Sequence, residues 1–271
     1  VVSSSGKKEF HTSVRDLVEF IFREGDIDNR RGRAQSAEAM QEGSRMHRRI
    51  QSEQGENYMA EVPLSIRLDL GAYTLVVEGR ADGIFTESAG EKADSGSELT
   101  FVDEIKGMYM DINRLEEPVY VHKAQAMCYA YIFATDNALS SIGIQMTYCD
   151  LEEGNRRIFR EIMPYDDLKS WFDNLVDSYK RWLDFQYEWR ITRQASIKSL
   201  EFPFEYREGQ RRLVGDVYRT IARRKNLFIQ APTGVGKTIS TIFPAVKAVG
   251  EELGDRIFYL TAKTITATVA K

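Results

Sequence analysis

Two stretches decide the fold, YTLVVEGRADGIFTE at 73–87 and ELTFVDEIKG at 98–107. Residues two apart recur on one side in both, the period of a strand, and a Gly/Ser/Asp/Glu-rich loop around 88–98 separates them. Upstream, MAEVPLSIRLDLG (59–71) shares that period, so three strands in a meander are expected. Before them the period is helical. Thr12 to Glu24 puts Val14, Leu17, Val18, Ile21 and Phe22 on one stripe, and a second helix over about 33–54 offers Ala37, Met40, Gly43, His47 and Ile50. After the meander, a helix over His122–Ala134, strands in SSIGIQMTYCD (140–150) and RRIFREIMP (156–164), and a long helix over Tyr165–Trp189 complete the pattern. Helices around a mixed sheet make an α/β core over residues 1–190.

The chain has 271 residues, of which 42% are hydrophobic and 29% charged, enough for two cores with a soluble exterior. A net charge of −4 excludes binding nucleic acid by bulk charge, but not through a basic groove. Cys128 and Cys149 are too few for a disulfide scaffold. No apolar run is long enough to cross a bilayer and no signal-peptide core is present, so a cytoplasmic protein without membrane contact is expected.

Periodicity fades at 191–205, which reads as a linker carrying Pro203. Beyond it, in 206–271, come a basic helix from Arg207 to Arg224, a short apolar strand NLFIQ (226–230), the loop APTGVGKT (231–238), a helix to about Val249 and a second strand in RIFYLTA (256–262). The loop fits the phosphate-binding pattern except that Ala231 replaces its first glycine. Gly234 and Gly236 let backbone N–H groups curl around phosphates. Lys237 would reach the β and γ oxygens, and the Thr238 hydroxyl would sit on Mg²⁺.

The first region carries a different chemistry. On a strand Glu104 and Lys106 share a face and Asp103 points away, so Glu104 is selected unless a bulge shifts the phase. Asp82 on the neighbouring strand could meet Glu104 across a metal. The Ile105 carbonyl would add a further oxygen ligand, a shell suited to Mg²⁺ or Mn²⁺. Lys106 could then orient a water or offset developing charge, and His47 would be another ligand if its helix lies over the sheet edge. Arg48 and Arg49 beside it could instead mark a phosphate-contacting patch. Arg30, Arg31, Arg33, Arg45, Arg48 and Arg49 could form a positive track.

The order of these elements resembles the PD-(D/E)xK nuclease superfamily, in its RecB-like branch, over about residues 10–190. His47 matches the branch histidine, Gly79-Arg80-Ala81-Asp82 its G-x-x-D element and Glu104-Ile105-Lys106 its D/E-x-K element. Gln125 and Tyr129, one helical turn apart, match its Q-x-x-x-Y element, which would contact the substrate backbone or support the site. The resemblance implies a restriction-endonuclease-like sheet and a metal-dependent deoxyribonuclease. The four-cysteine cluster that branch members often carry is not provided by Cys128 and Cys149.

Residues 200–271 resemble the opening motifs of superfamily 2 helicases of the XPD/DinG-like branch, where alanine is usual at the first loop position. That resemblance implies a partial RecA-like lobe, an adenine contact for Gln210 with Arg207 nearby, and a nucleic-acid contact near Thr261 to Thr264. The expected whole is a nuclease attached to an ATP-dependent DNA helicase, in DNA repair or processing, acting on DNA with single-stranded character. The alternative is a nuclease-like module that guides DNA without cutting it. No acid pair for hydrolysis follows the loop before Lys271, so this chain is expected to be truncated and not to unwind DNA.

Overall fold

A computed structural model describes residues 7–24, 37–88, 98–109, 111–232 and 234–261. The chain folds as two compact units, Val1–Arg181 and Trp182–Lys271.

The first unit is built on a six-stranded mixed sheet ordered β1-β3-β4-β5-β6, with β2 paired to β3. The expected meander is present as β2 (Tyr58–Asp69), β3 (Tyr73–Ser88) and β4 (Glu98–Met108), antiparallel throughout. Helix α3 (Tyr120–Asp136) crosses over to β5 (Ser141–Asp150), which lies parallel to β4, and β6 (Arg156–Pro164) closes the order antiparallel to β5. Both faces of β5 are covered, which is why its burial is nearly continuous rather than alternating. Gly143 on β5 faces Phe101 on β4, and a Cβ there would fall 2.1 Å from the Phe101 ring. The glycine makes room for the aromatic.

One strand was not anticipated. β1 (Lys8–Ser13) lies parallel to β3, and its sequence KEFHTS carries too little apolar alternation to announce it. Its last residue, Ser13, also caps α1 (Val14–Phe22), its hydroxyl accepting the Asp16 N–H at 2.9 Å. Val14, Leu17 and Val18 bury the inner stripe of α1. In α2 (Ala37–Ser52), Ile50 is buried and packs with Met46, Ile105 and Cys149. The side chains of Ala37 and Met40, together with residues 33–36 and most of the acidic loop after Ser88, lie outside the described residues.

Helix α4 (Tyr165–Lys198) runs beyond the expected end at Trp189 and into the stretch read as a linker. In the second unit, α5 (Gln210–Ala222) and α6 (Lys237–Gly250) match the expected helices. The two expected strands do not form among the described residues. Residues 226–230 and 256–261 are irregular, and Phe228, Phe258 and Leu260 are 95%, 80% and 90% exposed. A strand is made by its hydrogen-bonded neighbour, and among the described residues neither segment pairs with the other or with a third.

Candidate functional site

The first unit's candidate site forms where the sheet opens. Along one edge, β3 pairs with β1 through Ser13↔Glu78 and takes up β4 only from Gly83↔Asp103. Residues 79–82 therefore have no strand partner on that side. Along its other edge β2 keeps a single register from Tyr58↔Phe85 to Asp69↔Thr74, yet the pair Glu61 and Asp82 is skipped, because Glu61 adopts φ 56°. Asp82 thus sits where both neighbouring strands let go.

Side chains fill that opening. Asp82 Oδ2 accepts the Ile105 N–H at 2.7 Å, and Asp82 Oδ1 lies 3.4 Å from His47 Nδ1. Glu104 Oε1 accepts from Lys106 Nζ at 2.6 Å, whereas Glu104 Oε2 is buried with no hydrogen-bond partner. Burial pushes the Glu104 carboxyl up to about 7 despite the opposing charge of Lys106, and the nearby Asp82 pushes the same way. Burial works against protonation of His47, but the hydrogen bond and charge of Asp82 outweigh it and its pKa is raised.

Asp103 occupies the opposite face, as the strand period requires. It is fully buried, accepting from Thr147 Oγ1 at 2.7 Å and from the Tyr58 hydroxyl at 3.0 Å. The β4–β5 register runs unbroken from Phe101↔Gly143 to Met108↔Asp150, so no bulge exchanges Asp103 for Glu104. Gly83 admits the crossing Tyr58, since a Cβ there would fall 1.9 Å from its hydroxyl.

Gln125 and Tyr129 are both buried on α3. The Tyr129 hydroxyl bonds to the backbone at Arg80 and lies against Gly79, where a Cβ would come within 2.6 Å of it. This explains the glycine at 79: it lets the tyrosine reach the strand just before Asp82. Burial raises the Tyr129 phenol further from ionisation, so it serves as a hydrogen-bonding group rather than as an acid.

The expected ligand set is only partly assembled. Ile105 meets Asp82 through its amide rather than its carbonyl. Among the described residues no group of three or more His, Cys, Asp or Glu side chains is placed to hold a metal ion. Asp82 spends its oxygens on Ile105 and His47, and Lys106 holds one oxygen of Glu104. Of the expected positive track, Arg30, Arg31 and Arg33 lie outside the described residues. Arg49 is engaged with Glu53 at 3.0 Å, and Arg48 donates to the Ser44 carbonyl.

Three neighbours escaped sequence reasoning. Gln51, one turn beyond His47 on α2, donates from Nε2 to the Asp82 carbonyl at 2.9 Å; its spacing from His47 was the available signal. Glu61 lies beside it at 3.2 Å, with nothing in the sequence to mark it. His122 on α3 stands 3.3 Å from the hydroxyl of Tyr148, the residue paired with Lys106 across β4 and β5. Burial, then the charges of Lys106 and Arg15, lower the His122 pKa to about 4 and keep the ring neutral.

The second unit holds the glycine loop. Gly234 and Gly236 have φ 88° and 74°, the left-handed region open to glycine, and Gly236 leads into α6 at Lys237. Lys237 Nζ donates to the Ala231 and Pro232 carbonyls at 3.0 and 2.8 Å; Thr233 lies outside the described residues. Gln210 is buried against the loop. Its Oε1 accepts the Arg207 N–H at 3.0 Å and its Nε2 donates to the Val235 carbonyl at 3.3 Å, while the Arg207 guanidinium reaches the Gly234 carbonyl. Gln210 therefore fastens the loop. Of the expected contact at Thr261 to Thr264, only Thr261 is described.

No family model matches the chain. A probable ATP-dependent helicase of Methanocaldococcus jannaschii is 43% identical over 47 residues, 17% of this chain. The match spans 7% of that protein's length, so the similarity is local. The crystal structure of SSO0001 is similar at a TM-score of 0.38 and 20% identity, over 63% of this chain and 76% of that one. A likeness of that degree carries no argument about function. Among the described residues no helix is long and apolar enough to cross a membrane.

Proposed function

We propose that the first unit is a divalent-metal-dependent DNA nuclease with a restriction-endonuclease-like sheet. In this reading it is joined to the start of a RecA-like helicase lobe that binds ATP, and it acts in DNA repair or processing. The supporting observation is Glu104 Oε2, a buried carboxylate oxygen without a partner, beside Lys106 and next in the chain to Ile105, whose N–H binds Asp82. An unpaired buried acceptor is costly, and a hard cation would satisfy it. The chemistry of the donors, two carboxylates with the His47 imidazole 3.4 Å from Asp82, suits such an ion, although the bonds to Ile105, His47 and Lys106 would have to yield for it to bind. A bound Mg²⁺ or Mn²⁺ would polarise a phosphoryl oxygen and lower the pKa of a water. Asp82 and Glu104 would hold it, and Lys106 would place its ammonium where negative charge develops on the phosphate. Tyr129 and Gln125 would support the strand that carries Asp82.

The geometry of Gly234, Gly236 and Lys237 supports nucleotide binding by the second unit, and the local match of 47 residues of the chain to a probable ATP-dependent helicase agrees with that chemistry. Single-stranded DNA is the substrate class this pairing favours, because a helicase supplies single strands. The bonds that already engage both oxygens of Asp82 and one of Glu104 favour a second reading, a module that guides DNA without cutting. A cleavage assay on single-stranded, duplex and flapped DNA with Mg²⁺ or Mn²⁺ separates the two. The nuclease reading expects cleavage that Glu104→Ala or Lys106→Ala lowers about 100-fold or more. The guiding reading expects none above those variants.

A further inference from the structure

The proposed reaction rests on Asp82, and Asp82 has no strand partner at its own position on either edge of β3. Something else must fix it. We propose that Gln51 and Glu61 are positioning residues that clamp Asp82 in place and tie α2 to it; this rests on the nuclease reading.

Gln51 Nε2 lies 2.9 Å from the Asp82 carbonyl and 3.2 Å from Glu61 Oε1. A primary amide has two N–H groups, one for each acceptor. The Asp82 carbonyl therefore gains from a helix side chain the bond that the skipped strand pair does not supply. His47 and Gln51 lie on one face of α2, one turn apart, so the helix grips Asp82 at its carboxylate and at its carbonyl. Glu61 makes this possible by leaving the β conformation. Its φ of 56° is unfavourable for a side chain with a Cβ and persists only where the surroundings enforce it. Here Gln51 and Arg80, whose guanidinium lies 3.5 Å from Glu61 Oε2, hold the carboxylate from two sides. A turn would have favoured glycine or asparagine. Glutamate has a reason to stand here only if its side chain is used.

The test uses the full chain and two readouts. The first is the Ile105 amide, which donates to Asp82 Oδ2 and so reports the carboxylate's position without metal, through its NMR shift and hydrogen exchange. The second is Mn²⁺ affinity by electron paramagnetic resonance. Gln51→Leu is expected to shift the Ile105 signal, speed its exchange about tenfold and weaken Mn²⁺ binding about tenfold, the usual scale for an outer partner of a ligand. Glu61→Gln keeps the acceptor and is expected to stay within about twofold of wild type. Glu61→Gly relieves the backbone and is expected to raise Tm by about 2–4 °C while still speeding Ile105 exchange, a combination that excludes misfolding as the cause. Gln51→Leu with wild-type shift and exchange at Ile105 would overturn the proposal. If the wild-type chain binds no Mn²⁺, the metal reading falls, and the Ile105 amide still decides whether the clamp exists.

Discussion

Apolar β-type segments meet opposite fates in the two units. In Val1–Arg181, Val102 and Ile144 are 0% and 2% exposed, because each lies on a strand with neighbours on both sides and helices over the sheet. In Trp182–Lys271, Phe228 and Leu260 are 95% and 90% exposed in segments that the same pattern reading marks as strands. Periodicity reports which side chains would share a face. Whether a strand exists depends on a partner for its backbone, which a local window of sequence does not contain.

The largest effect that sharpens this contrast is a matched pair of truncations. Phe172 is buried under the stacked ring of Tyr131 at 4.3 Å, so Phe172→Ala should cost about 3–5 kcal/mol. Phe228→Ala should leave stability within about 0.5 kcal/mol. Chemical denaturation of both variants checks it, and equal losses would mean that 226–230 is packed after all.

A smaller effect concerns acid stability. The His122 pKa is lowered from 6.5 to about 4, so the unfolded chain binds more protons between those values. The contribution is present above pH 6.5 and is lost as pH falls towards 4. His122→Gln should flatten the fall in Tm over that window, removing about 2 kcal/mol of pH dependence after allowance for partial exposure. An unchanged slope would place the ring in water.

The smallest effect belongs to the loop. Lys237→Ala should weaken binding of a fluorescent ATP analogue about tenfold or more, about 1.4 kcal/mol, while leaving the proposed DNA cleavage by the first unit unchanged. Nucleotide binding at wild-type strength would remove the phosphate role from Lys237.

Much of the first unit was legible. The meander, the crossover and the β6 boundaries followed from period and turn residues, and the phase that separates Glu104 from Asp103 is the one observed. β1 was not, because a short strand with alternating charge forms only when β3 accepts it. Within the candidate site, strand phase sets Glu104 and Lys106 on one face and Asp103 on the other, as observed, and His47 of α2 lies 3.4 Å from Asp82 of the adjacent strand. Glu61 and His122 could not be read from the sequence, since their roles come from contacts between elements distant in sequence, and Gln51 was marked only by its one-turn spacing from His47. Tyr129 acquires a physical role from Gly79, whose missing Cβ admits the tyrosine ring, whereas Gln125 is buried on the same helix.

The central claim is that the opening in the sheet at Asp82 and Glu104 cuts DNA. Its most direct test is cleavage of single-stranded DNA by the wild-type chain and by Glu104→Ala and Lys106→Ala, with Mn²⁺ and with chelator, each variant first shown to be folded. The account predicts Mn²⁺-dependent cleavage by wild type that falls about 100-fold or more in both variants. Cleavage that survives both substitutions, or wild-type protein that binds DNA and never cuts it, would contradict it.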